Sequence, residues 1–211
     1  MPMFPLGTVL VPHAVLPLHV FEPRYRVLMF DSLLGNREFG VVLIERGSEV
    51  GGADQRFGVA TVAHIAEASE LPDGRWVVLA VGTRRVDVAD WLPDAPYPVA
   101  LIEERADVPW PDVTDEGDAL DRAIVALASA ERSVRLSLGL AAELGDEAPS
   151  ALVELSSDPA VAAWQLLAVA PIGALDKQRL LAIDDHAERL GQLAAVAEDQ
   201  AFLLAYRLNR E

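Results

Sequence analysis

The chain changes character near residue 110, and this change constrains its fold more than any other feature. Before it, short apolar runs are cut by Pro, Gly and Asp; after it, long Ala/Leu-rich segments carry helical spacing. The first pattern suits strands and tight turns, the second amphipathic helices. The expectation is an α+β chain, with a β-rich domain over residues 1–110 and an α-helical domain over residues 111–211.

In the first part, Leu16 to Phe21 reads as a strand, and Pro23 suits the first helical position, where a missing N–H costs nothing. A helix from Arg24 to Leu34 would set Tyr25, Leu28, Met29 and Leu33 near one face, with Gly35 ending it. Phe39–Ile44, Phe57–Ala66, Trp76–Val81, Arg85–Val88 and Val99–Ile102 complete a set of about six strands. Leu71-Pro-Asp-Gly74 is a turn signal between two of them. With only one helix among the strands, a mostly antiparallel curled sheet or barrel fits better than a parallel sheet.

In the second part, Leu120, Ile124, Leu127, Val134 and Leu138 recur on one face of a long helix. Asp158-Pro159 reads as the cap and first residue of a helix running to about Ala170. Asp185 with Glu188 suits a capping box that opens a C-terminal helix, whose apolar face includes Leu190, Ala194, Ala197, Ala201, Leu204 and Leu208.

Composition excludes several functions. Cysteine is absent, which removes disulfides, thiolate nucleophiles and Cys-ligated metals. The net charge of −16 opposes nucleic-acid binding. Eight acidic residues and one basic residue fall within 103–121, so the acidity is concentrated at the domain boundary. No basic residue precedes Arg24, and Pro2, Pro5, Pro12 and Pro17 break any signal-peptide helix. The apolar stretch Ala160–Leu175 is shorter than the roughly 20 residues a membrane span needs. A cytoplasmic protein with no membrane association is expected.

The chemistry-bearing residues are sparse. His13 and His19 stand six apart with no third ligand, so no metal is expected. The single lysine, Lys177, lies in no glycine-rich phosphate loop and reads as a solvated first-turn residue. Neither a nucleotide-binding loop nor a Ser–Lys dyad is therefore available. Glu103-Glu104 and Asp184-Asp185 do not read as acid/base pairs, and no cofactor is implied. Trp91, Tyr97 and Trp110 lie in Pro-rich connections, as exposed binding anchors or, more simply, as lids over the cores. Arg84-Arg85 is the only adjacent basic pair, available to a carboxylate ligand or to the chain's own surplus acids.

Phe4-Pro-Leu6 followed by Leu16-Pro-Leu-His-Val-Phe-Glu-Pro-Arg-Tyr-Arg26 resembles the opening of the substrate-binding N-terminal domain of the ATP-dependent protease Lon. The resemblance continues through Phe39–Leu43, Val59–Ala63, Leu71–Arg75, Gly82–Val86 and Ala174–Leu181, with Ala60 where glycine is expected. It implies a six-stranded pseudobarrel related to PUA-like folds, followed by a helical bundle subdomain. It also implies the peptidase S16 family by homology without its activity, since the chain reaches only Glu211. The expectation is a stand-alone Lon N-domain protein lacking ATPase and protease domains. Leu18, Phe21, Pro23 and Tyr25 are of the types that fix a strand-to-helix junction and fill a small barrel, with Arg24 and Glu22 bracing it.

The function expected is a noncatalytic module that binds unfolded polypeptide segments, apolar or basic, or a protein partner, as an adaptor in proteolysis or quality control. The alternative is a small-molecule-binding protein or enzyme using a cleft between barrel and helices. Candidates for a binding cleft are Leu18, His19, Glu22, Arg85, Trp91 and Tyr97.

Overall fold

A computed structural model of the chain describes residues 1–46, 55–112, 114, 117–146, 150, 151 and 153–210. It divides into two compact units, Met1–Asp107 and Val108–Glu211. The first unit holds β1 (Met3–Leu6), β2 (Val15–Val20), α1 (Pro23–Leu34), β3 (Glu38–Arg46), β4 (Gln55–Glu70), β5 (Trp76–Leu92) and β6 (Val99–Arg105). The sheet order is β1-β3-β4-β5-β2, with β6 also paired to β5. The β1–β3 ladder is parallel and the other four are antiparallel.

The expected count of six strands stands, but its membership differs. Met3–Leu6, not among the expected strands, pairs with β3 as β1. Trp76–Val81 and Arg85–Val88 are one 17-residue strand, not two. Gly82, between those two runs, sits beside a register shift, where a Cβ would lie 2.3 Å from the Val11 carbonyl oxygen. The uninterrupted β5 presents one edge to β4 and shares the other between β2 and β6. The ladder does not close into the pseudobarrel that the resemblance implies: the chain before β1 meets β6 through an isolated Pro2–Val99 bridge, flanked by bonds from Met3 N–H to Pro98 O and from Ala100 N–H to Met1 O.

Side chains alternate across this sheet into two clusters. The larger gathers Phe4, Tyr25, Leu28, Met29, Phe39 and Ile65. Phe4 stacks on Tyr25 with ring centroids 4.2 Å apart. The smaller contains Met3, Val42, Ala60, Val62, Val86 and Ala100. Helix α1 covers the larger cluster and buries Tyr25, Leu28, Met29 and Ser32, with Leu33 half-buried. It ends at Gly35, as expected, but at φ −93°; the left-handed conformation falls on Arg37, at φ 63°.

The second unit comprises α2 (Ala119–Glu143), α3 (Pro159–Val169), α4 (Ala174–Leu181) and α5 (His186–Leu208). The Asp158 carboxylate caps α3 by accepting from the N–H groups of Ala160 and Val161. Asp185 caps α5 through Glu188 N–H at 2.7 Å, while the Glu188 carboxylate accepts from Gln192. Ser137 Oγ donates to the Ala197 carbonyl at 2.6 Å, and Arg207 pairs with Asp146 just beyond α2. Partners offset by about sixty residues at both places mean that α2 and α5 run parallel.

The buried stripe of α2 is rotated from the expected one. Ala123, Ala130, Ser133, Val134, Ser137, Leu138 and Ala141 face inward, whereas Ile124 is 51% exposed and Leu120 and Leu127 are half-buried. Small residues let the two helix backbones approach, so residue size outranks hydrophobicity in choosing the face. Lys177 is not solvated: its Nζ donates to the Ala168 carbonyl at 2.7 Å, satisfying a last-turn acceptor of α3, and burial lowers its pKa.

Candidate functional site

The junction between β2 and α1 carries an unusual surface. Phe21, expected inside, is 55% exposed at the point where strand gives way to helix. Glu22 and Arg24 do brace this junction, 3.1 Å apart, and the Arg24 guanidinium lies 4.4 Å from the Tyr25 ring centroid. The inward positions of the turn are already filled by Tyr25 and Val20, which leaves Phe21 pointing outward.

Helix α1 is apolar on two faces. Opposite its buried stripe, Val27, Phe30 and Leu34 recur at i, i+3 and i+7 and are exposed. A groove of about 370 Å³ runs along this outer face, with Pro23, Val27, Phe30 and Trp76 as apolar walls and Arg26 and Glu70 as polar rims. Gly74, at φ +76° in the β4–β5 turn, leaves the space that the Arg26 guanidinium occupies.

A smaller hollow of about 130 Å³ lies on the other side of the junction. Phe4 and Leu6 of β1 and Leu18 and His19 of β2 line it, with Glu22 and Tyr25. Neither lining contains Ser, Thr, Cys or Lys. Apolar area with few polar rims can hold a chain segment by burial.

The six candidate residues separate into two sets. Leu18, His19 and Glu22 converge on the smaller hollow. Arg85 lies apart and is fully buried, with its guanidinium 2.7 Å from the Asp107 carboxylate. Strand alternation sends Arg84 the other way, where it bridges Glu38 and Glu104; the hydrogen bonds from Arg84 lower the Glu38 pKa, and those to Glu38 raise that of Arg84. Trp91 belongs to β5, not to a loop, and packs against the smaller cluster under the Arg56 guanidinium. Tyr97 is part of the larger cluster and donates to Asp31 at 2.8 Å. Burial, reinforced by that carboxylate, pushes its pKa up to about 12.

The groove residues Arg26, Val27, Phe30, Glu70 and Trp76 escaped the sequence reading. The i, i+3, i+7 spacing of Val27, Phe30 and Leu34 was the available signal. Trp76 and Glu70 joined it only through the β4–β5 register, in which they are partners.

The second unit has a cavity of its own, about 460 Å³, between residues 108–112 and the N-terminal turns of α2 and α5. Trp110 packs there against His186, with ring centroids 5.1 Å apart. His186 Nε2 donates to the Val108 carbonyl at 2.7 Å while Nδ1 accepts from Arg189, so this ring is a neutral, fixed tautomer. Among the described residues, no group of three or more His, Asp or Glu is placed to hold a metal, and no helix is long and apolar enough to cross a membrane.

Residues 1–195 match the family model of the substrate-binding domain of ATP-dependent protease La (Lon). The chain is 30% identical over 209 residues to Lon protease 2 of Herpetosiphon aurantiacus, covering 97% of this chain and 24% of that protein. It is also 30% identical over 209 residues to the Lon protease of Escherichia coli K12, covering 96% and 25% respectively. The chain thus spans about a quarter of the length of these curated relatives. Among solved structures, a Lon N-terminal domain protein from Xanthomonas campestris superposes with a TM-score of 0.61 at 26% identity, over 92% of this chain and 96% of that one. The N-terminal domain of a Mycobacterium avium complex Lon protease shares the fold with a TM-score of 0.64 at 16% identity, over 94% and 97%.

Proposed function

The chain belongs to the Lon substrate-binding domain family, and from that premise we propose that it is a recognition module that holds unfolded polypeptide segments on the outer face of α1. The observation that carries this reading is the second apolar face of α1: Val27, Phe30 and Leu34 stand exposed beside a groove walled by Pro23 and Trp76. Exposed contiguous apolar surface on a small unit marks an interaction site. Burying one Phe or Leu side chain contributes about 1.5–3 kcal/mol, so two or three anchors supply about 3–9 kcal/mol toward the cost of association.

The chain's charge of −16 favours apolar segments with basic flanks over acidic ones. Such a module would present captured chains as an adaptor in proteolysis or quality control. The family match is to the substrate-binding domain, so the hydrolytic activities of full-length relatives are not proposed for it.

Isothermal calorimetry with a permanently unfolded probe, a reduced and carboxymethylated protein, tests the reading. Binding is expected for the probe and not for its folded parent, and Phe30→Asp is expected to weaken it at least tenfold. Equal affinity of the Phe30→Asp variant, with its fold unchanged by circular dichroism, would discard the α1 groove as the docking surface.

A further inference from the structure

Resting on the reading of this chain as a polypeptide-holding module, we propose a second docking surface besides the α1 groove, at which a captured segment is bound as an added β-strand on the free edge of β2. β2 stands at one end of the sheet order and β1 at the other, and the two strands line the smaller hollow together. The hollow is therefore the seam of a sheet that does not close.

Hydrogen-bond direction decides which edge can receive a strand. Gly82 N–H donates to the Ala14 carbonyl at 2.9 Å, and Leu16, Leu18 and Val20 follow Ala14 in the same register with Ala80, Val78 and Trp76. Backbone groups alternate along a strand, so those of Val15, Pro17 and His19 turn to the free edge. Pro17 offers a carbonyl only; Val15 and His19 offer both donor and acceptor. On β1 the same parity leaves nothing to donate. The Pro2 carbonyl accepts from Gly40 on β3, Met3 N–H is bound to Pro98 O at 2.9 Å, and Pro5 has no N–H. Of the two terminal strands, β2 alone has free-edge donors.

Side-chain chemistry around that edge fits an extended apolar chain. On the outer face, Val15, 59% exposed, and Pro17 continue the exposed Val77 and Leu79 of β5, with Pro17 opposite Leu79. On the inner face, every second side chain of an incoming strand would face the hollow floored by Phe4, Leu6 and Leu18. Main-chain bonds on one edge combined with a pocket for alternate side chains are the two requirements of strand addition. Backbone recognition also explains how a module could hold unfolded segments of many sequences. Pro17, by withholding one donor, keeps this exposed edge from pairing with a second copy of itself along its full length.

Two nine-residue peptides that alternate Val and Thr, with Lys at each end, separate the outcomes. One is N-methylated on its even-numbered amides and the other on its odd-numbered amides, and an unmodified peptide serves as reference. Strand addition predicts at least a tenfold loss of affinity for one methylation pattern and near-reference affinity for the other. It also predicts at least tenfold slower amide exchange at Val15 and His19 in the complex. Equal affinity for both patterns, or unchanged exchange at these two amides, would overturn it. If the unfolded protein binds and none of the peptides does, strand addition fails while the recognition reading stands; if nothing binds, both fall.

Discussion

The two units differ in the residues that bring their main elements together. In Met1–Asp107 the main cluster is built on rings, Phe4 stacked on Tyr25 and Phe39 tilted beside them, and the unit leaves Phe21, Phe30 and Val77 exposed outside. In Val108–Glu211 the buried stripes of α2 and α5 set alanines and serines among Val134, Leu138, Leu190, Leu193 and Leu204, and the large ring Trp164 is held inside under the Arg189 guanidinium, 3.8 Å from its centroid. Large core residues fix a sheet and helix by volume while leaving other apolar side chains free for a partner. Small ones fix two helices by proximity, and a single methylene becomes an obstacle. The difference teaches that apolar character alone locates neither the core nor the binding surface of this chain.

Substitutions in the two units can break or sharpen that contrast. The largest effect is expected from Phe39→Ala, which removes a fully buried ring and should cost about 4 kcal/mol in denaturant unfolding. A loss below about 1 kcal/mol would show that the first unit is not held by ring volume. The opposite change, Ala197→Leu at the α2–α5 contact, should destabilise by about 2 kcal/mol through overpacking, although it adds apolar area. A gain in stability would mean that the seam has room to spare.

A pH titration offers a smaller, unit-specific signal. Tyr97 keeps its proton to about pH 12 in the folded state, against an ordinary value near 10 when unfolded. Between those values the unfolded chain binds fewer protons, so stability should fall as pH rises from about 10 to 12. Tyr97→Phe should flatten that segment of a stability-versus-pH curve; an unchanged slope would reject Tyr97 as its source. The smallest effect belongs to Ile124→Glu, which should stay within about 0.5 kcal/mol because the side chain faces outward. A large loss there would restore the face first read from the sequence.

Much of the fold was legible because local rules sufficed. Asp158-Pro159 and Asp185 placed two helix starts, Leu71–Gly74 placed a turn, and Pro23 placed the start of α1. Errors arose where a non-local partner overrode the local signal. Met3–Leu6 is a strand because β3 pairs with it, and the glycine at residue 82 continues β5 because Val11 approaches it closely. At the candidate site, Leu18, His19 and Glu22 were identified from one contiguous motif and do share a hollow. Arg85, Trp91 and Tyr97 were grouped with them on residue type, but strand parity and packing assign them elsewhere.

By itself the sequence determined the family, the division into a β-rich and a helical part, and the caps and turns that begin and end most elements. These depend on residue type and spacing over a few positions, where hydrogen-bond chemistry and backbone preference act without help. Tertiary structure alone decided which apolar residues became core and which became surface. Phe21 and Phe39 are chemically the same, yet one is exposed and the other buried. That choice depends on the space left by residues distant in sequence, which no local pattern encodes.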